Sequence, residues 1–172
     1  MRILVRKLAL LSLLLPFVGL VAAPSAQAGV LGYPDIDNAR FLVDVPDDWS
    51  VEPGEADGDF VHVNSPDGVY LAFRTIPASW ADVTGAMEDS VKFVNENYQD
   101  VELGETVEAA QAGLKGAYID GIGKDSEGTP VIIRMAWIRL DGFVGEIWFA
   151  AFADDKAGIA AAGEALSSFR AP

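Results

Sequence analysis

Val131-Ile132-Ile133-Arg134-Met135-Ala136-Trp137-Ile138-Arg139-Leu140-Asp141-Gly142-Phe143-Val144-Gly145-Glu146-Ile147-Trp148-Phe149-Ala150-Ala151-Phe152 is two strand-prone runs around an Asp-Gly pair, the pattern of a tight β-hairpin. A two-residue loop sets Leu140 opposite Phe143, Ile138 opposite Gly145 and Ala136 opposite Ile147. Because strand side chains alternate, Leu140, Ile138, Ala136, Ile132, Phe143, Ile147 and Phe149 share one face. Trp137, Met135, Ile133, Val131, Val144, Trp148 and Phe152 share the other. An antiparallel pair that is oily on both sides must be covered on both sides, so the hairpin belongs in the middle of a sheet between two further layers. Arg134 falls opposite Phe149 on an apolar face, where a guanidinium needs a partner; an ion pair is the expected role, ahead of ligand binding. Arg139 is diagonal to Glu146 near the turn, where a cross-strand pair suffices.

Two helical patterns flank this hairpin in sequence and can supply the cover. In residues 79–98, Val83, Met87, Val91, Val94 and Tyr98 recur at three and four residues, with Ser79 as N-cap and Glu88 to Lys92 as an i,i+4 pair. Residues 155–169 are rich in alanine, with Ile159, Leu166 and Phe169 on the apolar side and Asp154 or Asp155 as the cap.

The remaining segments read as strands and turns. Phe41, Val43 and Val45 alternate with polar positions, and Pro46-Asp47-Asp48 turns the chain into a short strand at 49–51. Residues 59–65 and 69–76 flank Pro66-Asp67-Gly68, a turn in which proline presets φ and glycine takes the left-handed position. That register puts Val63 beside Leu71 and Val61 beside Phe73 on a dry face. The opposite face collects Phe60, His62, Asn64, Tyr70, Ala72 and Arg74. Weaker strands are expected at 106–111 and 114–122, and a charged loop at 124–129.

The N-terminus has the order of a cleavable secretory signal: Arg2, Arg6 and Lys7, an apolar run over 8–23 with Pro16 inside it, then Ala26-Gln27-Ala28. Cleavage is expected between Ala28 and Gly29, for a periplasmic or secreted product with no membrane insertion afterwards. An apolar run this short does not suit a membrane anchor. No cysteine occurs in the 172 residues, which removes lipid attachment, disulfides and zinc–thiolate sites. The organisation expected is a signal peptide at 1–28, a flexible segment leading in at 29–38, and one α/β domain at 39–172.

The chain has 12 basic and 26 acidic residues. Three of the basic ones leave with the signal, which takes the formal charge from −14 to −17. That field repels phosphate backbones and anionic lipid, so nucleic acid and membrane surfaces are not expected partners. Cationic partners and divalent metals stay open.

Phe41-x-Val43-x-Val45-Pro46-x-x-Trp49, Ser65-Pro66-Asp67-Gly68, the helix after it, and Leu166-Ser167-Ser168-Phe169-Arg170 together resemble the Mog1/PsbP-like superfamily. This superfamily includes the photosystem II extrinsic protein PsbP and exported bacterial DcrB-like proteins. The resemblance implies an α+β fold, a three-layer α-β-α sandwich around a central antiparallel sheet, used as a binding or accessory module. It carries over no catalytic residue. The lipid-attachment cysteine of some bacterial relatives is missing, and nothing transfers a photosynthetic role.

Catalytic readings find little support. His62 is the sole histidine, sits mid-strand, and has no G-x-S-x-G nucleophile near it. One histidine without cysteine does not make a usual zinc site. Asp47, Asp48, Glu52, Glu55, Asp57 and Asp59 crowd one loop, and hard cations take oxygen ligands, yet the spacing of a calcium loop is absent. Gly113-x-x-Gly116 and Gly121-x-Gly123 lack the lysine and hydroxyl of a phosphate loop. No cofactor is expected.

The reading is an exported non-catalytic binding or accessory module contacting a protein or small ligand. The expected ligand-binding residues are His62, Asn64, Tyr70 and Arg74, which converge from adjacent strands and mix stacking with hydrogen bonding. One alternative is a carboxylate- or metal-dependent hydrolase; the other is a divalent-cation-binding protein.

Overall fold

The computed structural model describes residues 29–172; the expected signal peptide lies outside the described residues. The chain first forms β1 (Gly29–Tyr33), β2 (Phe41–Val45), β3 (Ser50–Glu52), β4 (Val61–Asn64) and β5 (Tyr70–Pro77). Helix α1 (Trp80–Asn97) follows, then β6 (Gln99–Leu103), β7 (Val107–Gln111), β8 (Leu114–Lys124), β9 (Pro130–Arg139), β10 (Phe143–Phe152) and α2 (Lys156–Ser167).

The hairpin of β9 and β10 sits in the middle of an eight-stranded antiparallel sheet of order β3-β4-β5-β10-β9-β8-β6. Its register is the expected one, with Gly145 beside Ile138, Ile147 beside Ala136 and Phe149 beside Arg134. Leu140 N donates to Phe143 O across the turn, where Gly142 takes φ 73°. At the far side, the long strand β8 is shared between two partners, β7 along its first half and β6 along its second. At the near side the sheet ends in three-residue β3.

Each face of the sheet has its own core. On one, Ala86 and Val94 of α1 pack with Ala72, Ile76, Met135, Trp137, Val144 and Trp148. On the other, Ala162, Ala165 and Phe169 of the C-terminal segment pack with Leu71, Phe73, Ile147 and Phe149. The fold is therefore α+β, an antiparallel sheet between helical layers. Both helices start at polar caps: Ser79 Oγ accepts from Asp82 N and Asp155 Oδ1 from Gly158 N, which satisfies first-turn amides with no partner inside the helix.

The second outer layer is not helix alone, and here the expectation for residues 29–38 is corrected. Gly29–Tyr33 is strand β1, paired along its length with β2, and this hairpin lies beside α2 over the same face. Tyr33 is buried; its hydroxyl donates to Asp59 O at 2.8 Å and accepts from Gly58 N at 2.9 Å. Gly32 and Asp35, which read as signs of looseness, belong to a tight reversal. A Cβ on Gly32 would sit 2.8 Å from Ile36 Cα, and Asp35 Oδ1 accepts from the amides of Asp37 and Asn38, as turn aspartates do.

The opening and closing motifs of the domain meet in space. Phe41 stacks between Tyr33 at 5.3 Å and Phe169 at 4.7 Å. Leu42 and Arg170 exchange backbone hydrogen bonds of 2.9 and 3.0 Å, and Arg170 Nη2 reaches Asp44 Oδ1 at 2.9 Å.

Smaller differences have local causes. The expected strand at 49–51 lies one residue later, because Trp49 turns into the core while Ser50–Glu52 stays exposed. Strand β6 gives a weak sequence pattern: it carries only Val101 and Leu103 as apolar signal and is interrupted by a register shift where Asp100 takes φ 50°. Lys92 reaches Glu96 at 3.9 Å rather than Glu88.

Candidate functional site

Hairpin register alone places Asn64 beside Tyr70 and His62 beside Ala72, so these side chains stand on the sheet face that carries α1. His62 Nδ1 and Tyr70 Oη are 2.8 Å apart, and the two rings stack at 5.8 Å. Phe60 continues the band, 6.3 Å from His62 and 6.3 Å edge-on to Trp148. Phe93 of α1 closes it with an edge contact to Trp148 at 5.1 Å. His62, Asn64, Tyr70 and Phe60 are each half-buried, so the band is open to a partner along one side.

Burial pushes the Tyr70 hydroxyl up to about 12, helped by the charge that Tyr98 would carry nearby. Losing water destabilises the phenolate, so Tyr70 stays a neutral donor and acceptor beside His62 through the physiological range.

Arg74 shares the face but is committed elsewhere. Its Nε donates to Glu146 Oε2 at 2.6 Å, and its guanidinium lies 4.4 Å over the Phe60 ring. Glu146 is fully buried, directly opposite Arg74 in the pairing of β5 with β10. Its second oxygen accepts from Ser90 Oγ of α1 at 2.6 Å and from Trp148 Nε1 at 3.3 Å. Two strands and a helix thus meet on one carboxylate with both oxygens engaged. Arg139, expected to pair with Glu146, stands exposed instead; Arg74 is the directly opposed cation and takes the carboxylate.

Of the four expected residues, His62 and Tyr70 form one hydrogen-bonded unit, Asn64 flanks Tyr70, and Arg74 joins through Phe60. Phe60, Phe93 and Trp148 complete the surface, and Glu146 with Ser90 fixes it from below. The signal for Phe60 was present in its register. Ser90, Phe93 and Glu146 depend on how α1 docks, which periodicity does not state.

The other sequence features resolve as follows. Arg134 forms the expected ion pair, with Nε and Nη2 on the two oxygens of Asp120 at 2.5 and 2.8 Å. In the acidic loop, Asp57 is bound by Arg40 at 2.7 and 2.8 Å, which holds its carboxyl below the usual range. Among the described residues no group of three or more His, Cys, Asp or Glu side chains converges as a metal site. No helix among them is long and apolar enough to cross a membrane.

No family model matches the chain, and no curated protein matches it. Solved structures do. The cyanobacterial PsbP, CyanoP, of Synechocystis sp. PCC 6803 superposes with a TM-score of 0.58 at 14% identity, over 92% of this chain and 99% of that one. LpqN of Mycobacterium tuberculosis, a protein involved in cell envelope biogenesis, gives 0.56 at 15% identity, over 77% and 83%. A Pseudomonas aeruginosa protein of unknown function gives 0.51 at 12%, over 76% and 90%. What this chain shares with them is an architecture, and that architecture is the PsbP-like fold.

Proposed function

We propose that the chain is an exported, non-catalytic binding or accessory module that captures its partner on the face made by His62, Asn64, Tyr70 and Phe60, with Arg74 positioning Phe60. The observation that carries the reading is the continuous aromatic band in which Tyr70 stacks on His62, His62 meets Phe60 at a tilt and Phe60 meets Trp148 edge-on. Stacking surfaces with hydrogen-bonding rims are what recognition sites use. The surplus of acid favours neutral or cationic partners over anionic ones. The fold shared with CyanoP and LpqN supports an accessory role, and the leader-like N-terminus supports one outside the cytoplasm.

Arg74→Ala is a poor test, since it strands a buried carboxylate. His62→Ala and Asn64→Ala remove contact groups without opening the core. Both should lower capture of the same partner from the extracytoplasmic fraction of the native cell by roughly tenfold or more, the scale of a binding hot spot, with melting temperature little changed. Capture equal to wild type in both variants would retire the face.

A further inference from the structure

The opposite face of the sheet is only partly covered. Helix α2 has 12 residues, about 18 Å at 1.5 Å per residue, and together with the hairpin of β1 and β2 it packs over β5 and β10. Beyond Leu166 a cleft of about 150 Å³ remains over β8, β9 and β10. Along β9, Arg134, Ala136 and Ile138 follow one another on its floor, so one end is polar, the middle is small and the far end is apolar. Ile147 and Phe149 extend the floor on β10.

Two features make this a built site. The small Ala136 lies between Tyr118 and Ile147 in the ladder, so the cleft exists because a larger side chain is missing at its centre. The hairpin of β7 and β8 is also tied to the helix at the border of the cleft: Gln111 Nε2 donates to the carbonyls of Leu166 and Phe169 at the end of α2.

The chemistry at the polar end selects a ligand class. Arg134 lies 4.4 Å over the Tyr118 ring and spends Nε and Nη2 on Asp120. Its Nη1 and the Tyr118 hydroxyl make no hydrogen bond among the described residues, leaving two donors at the mouth. Asp120 already neutralises the guanidinium and the chain is strongly acidic, so a carboxylate gains little there. A cavity of this size holds a molecule about as large as benzene.

We propose that this cleft is a second binding site, for a neutral molecule of one six-membered ring or an equally bulky short chain with a carbonyl or ether oxygen at one end. The apolar body lies on Ala136, Ile138 and Ile147, and the oxygen accepts from Arg134 and Tyr118. The site is on the other side of the sheet from His62 and Tyr70, and it stands without them.

Acetophenone, toluene and benzoate are the probes, read by the amide resonances of Gly116, Ala136 and Ile138 in the labelled chain. Acetophenone should shift them saturably, and toluene should bind roughly three- to tenfold more weakly for want of one hydrogen bond. Benzoate should also bind more weakly than acetophenone. Ala136→Leu should abolish the shifts while the melting temperature stays near wild type. Tyr118→Phe, the milder variant, should narrow the gap between acetophenone and toluene. An acetophenone titration that leaves the cleft resonances still, or equal binding by Ala136→Leu, overturns the site; equal affinity for toluene and acetophenone overturns the role of the oxygen.

Discussion

Arg74 Nε stands 2.6 Å from Glu146 Oε2 across the pairing of β5 with β10, and the carboxylate is 0% exposed while the guanidinium is 25% exposed. A charge taken wholly out of water is tolerable only with its partners in place. Removing the arginine side chain in Arg74→Ala should therefore cost about 3–5 kcal/mol, as for other broken buried pairs. Ser90→Ala leaves the pair intact and should cost less, about 1–3 kcal/mol for one unsatisfied oxygen. Urea unfolding of both variants checks the order; a loss for Arg74→Ala no larger than for Ser90→Ala would contradict it.

The tyrosines set the alkaline limit. Tyr70 is pushed up from 10.0 to about 12, chiefly by burial, and burial also raises Tyr33 and Tyr98. A raised folded-state value means that the fold favours the protonated phenol. Its stabilisation is complete below pH 10 and is lost as pH climbs from 10 to 12. Unfolding free energy should fall across that window, and Tyr70→Phe should flatten the slope. Tyrosinate absorbance in the near ultraviolet should show Tyr70 ionising late; ionisation near pH 10 would contradict the assignment.

Two glycines separate backbone strain from crowding. Gly142 has φ 73° with open space around a would-be Cβ, so Gly142→Ala should cost only the left-handed penalty of about 1–2 kcal/mol. Gly68 has φ 98°, and a Cβ there would lie 2.8 Å from Phe152 Cε2. Gly68→Ala should lose about 1 kcal/mol more, because Phe152 must also move. Equal melting shifts for the two would show that Phe152 yields without cost.

Asp120 and Arg134 make a two-pronged ion pair, but their side chains are 54% and 44% exposed. Water and salt screen such a pair, so Asp120→Asn should change stability by less than about 1 kcal/mol. Thermal unfolding in low and high salt checks this; a larger loss would mean that the pair carries the cleft wall.

What could be read from residues alone follows physical reach. Asp141-Gly142 and Pro66-Asp67-Gly68 fix local registers, so the two-sided apolar hairpin and the approach of His62 to Tyr70 were legible. Ser79 and the Asp154-Asp155 pair announce helix starts because caps are local chemistry, and the structure takes Asp155 as the second cap. Glu146 was misassigned to Arg139 since hairpin register names only neighbours in the same hairpin. Its real partner lies 72 residues away in sequence, on a strand whose pairing with β10 is written in no turn. Strand β1 was hidden because Gly32 and Pro34 weaken a strand pattern, while the partner that stabilises it, β2, begins only after the Asp35 reversal. The cleft over Ala136 depends on where α2 stops, which no local pattern states.

The sheet has eight strands and is seven wide, yet it offers only short rims to which another chain could zip. One border is three residues long, and the other is broken in two, with β7 and β6 sharing β8. A backbone template that short and interrupted gives an incoming strand little to hold. Borders of this kind guard a crowded population of copies against fusing edge to edge.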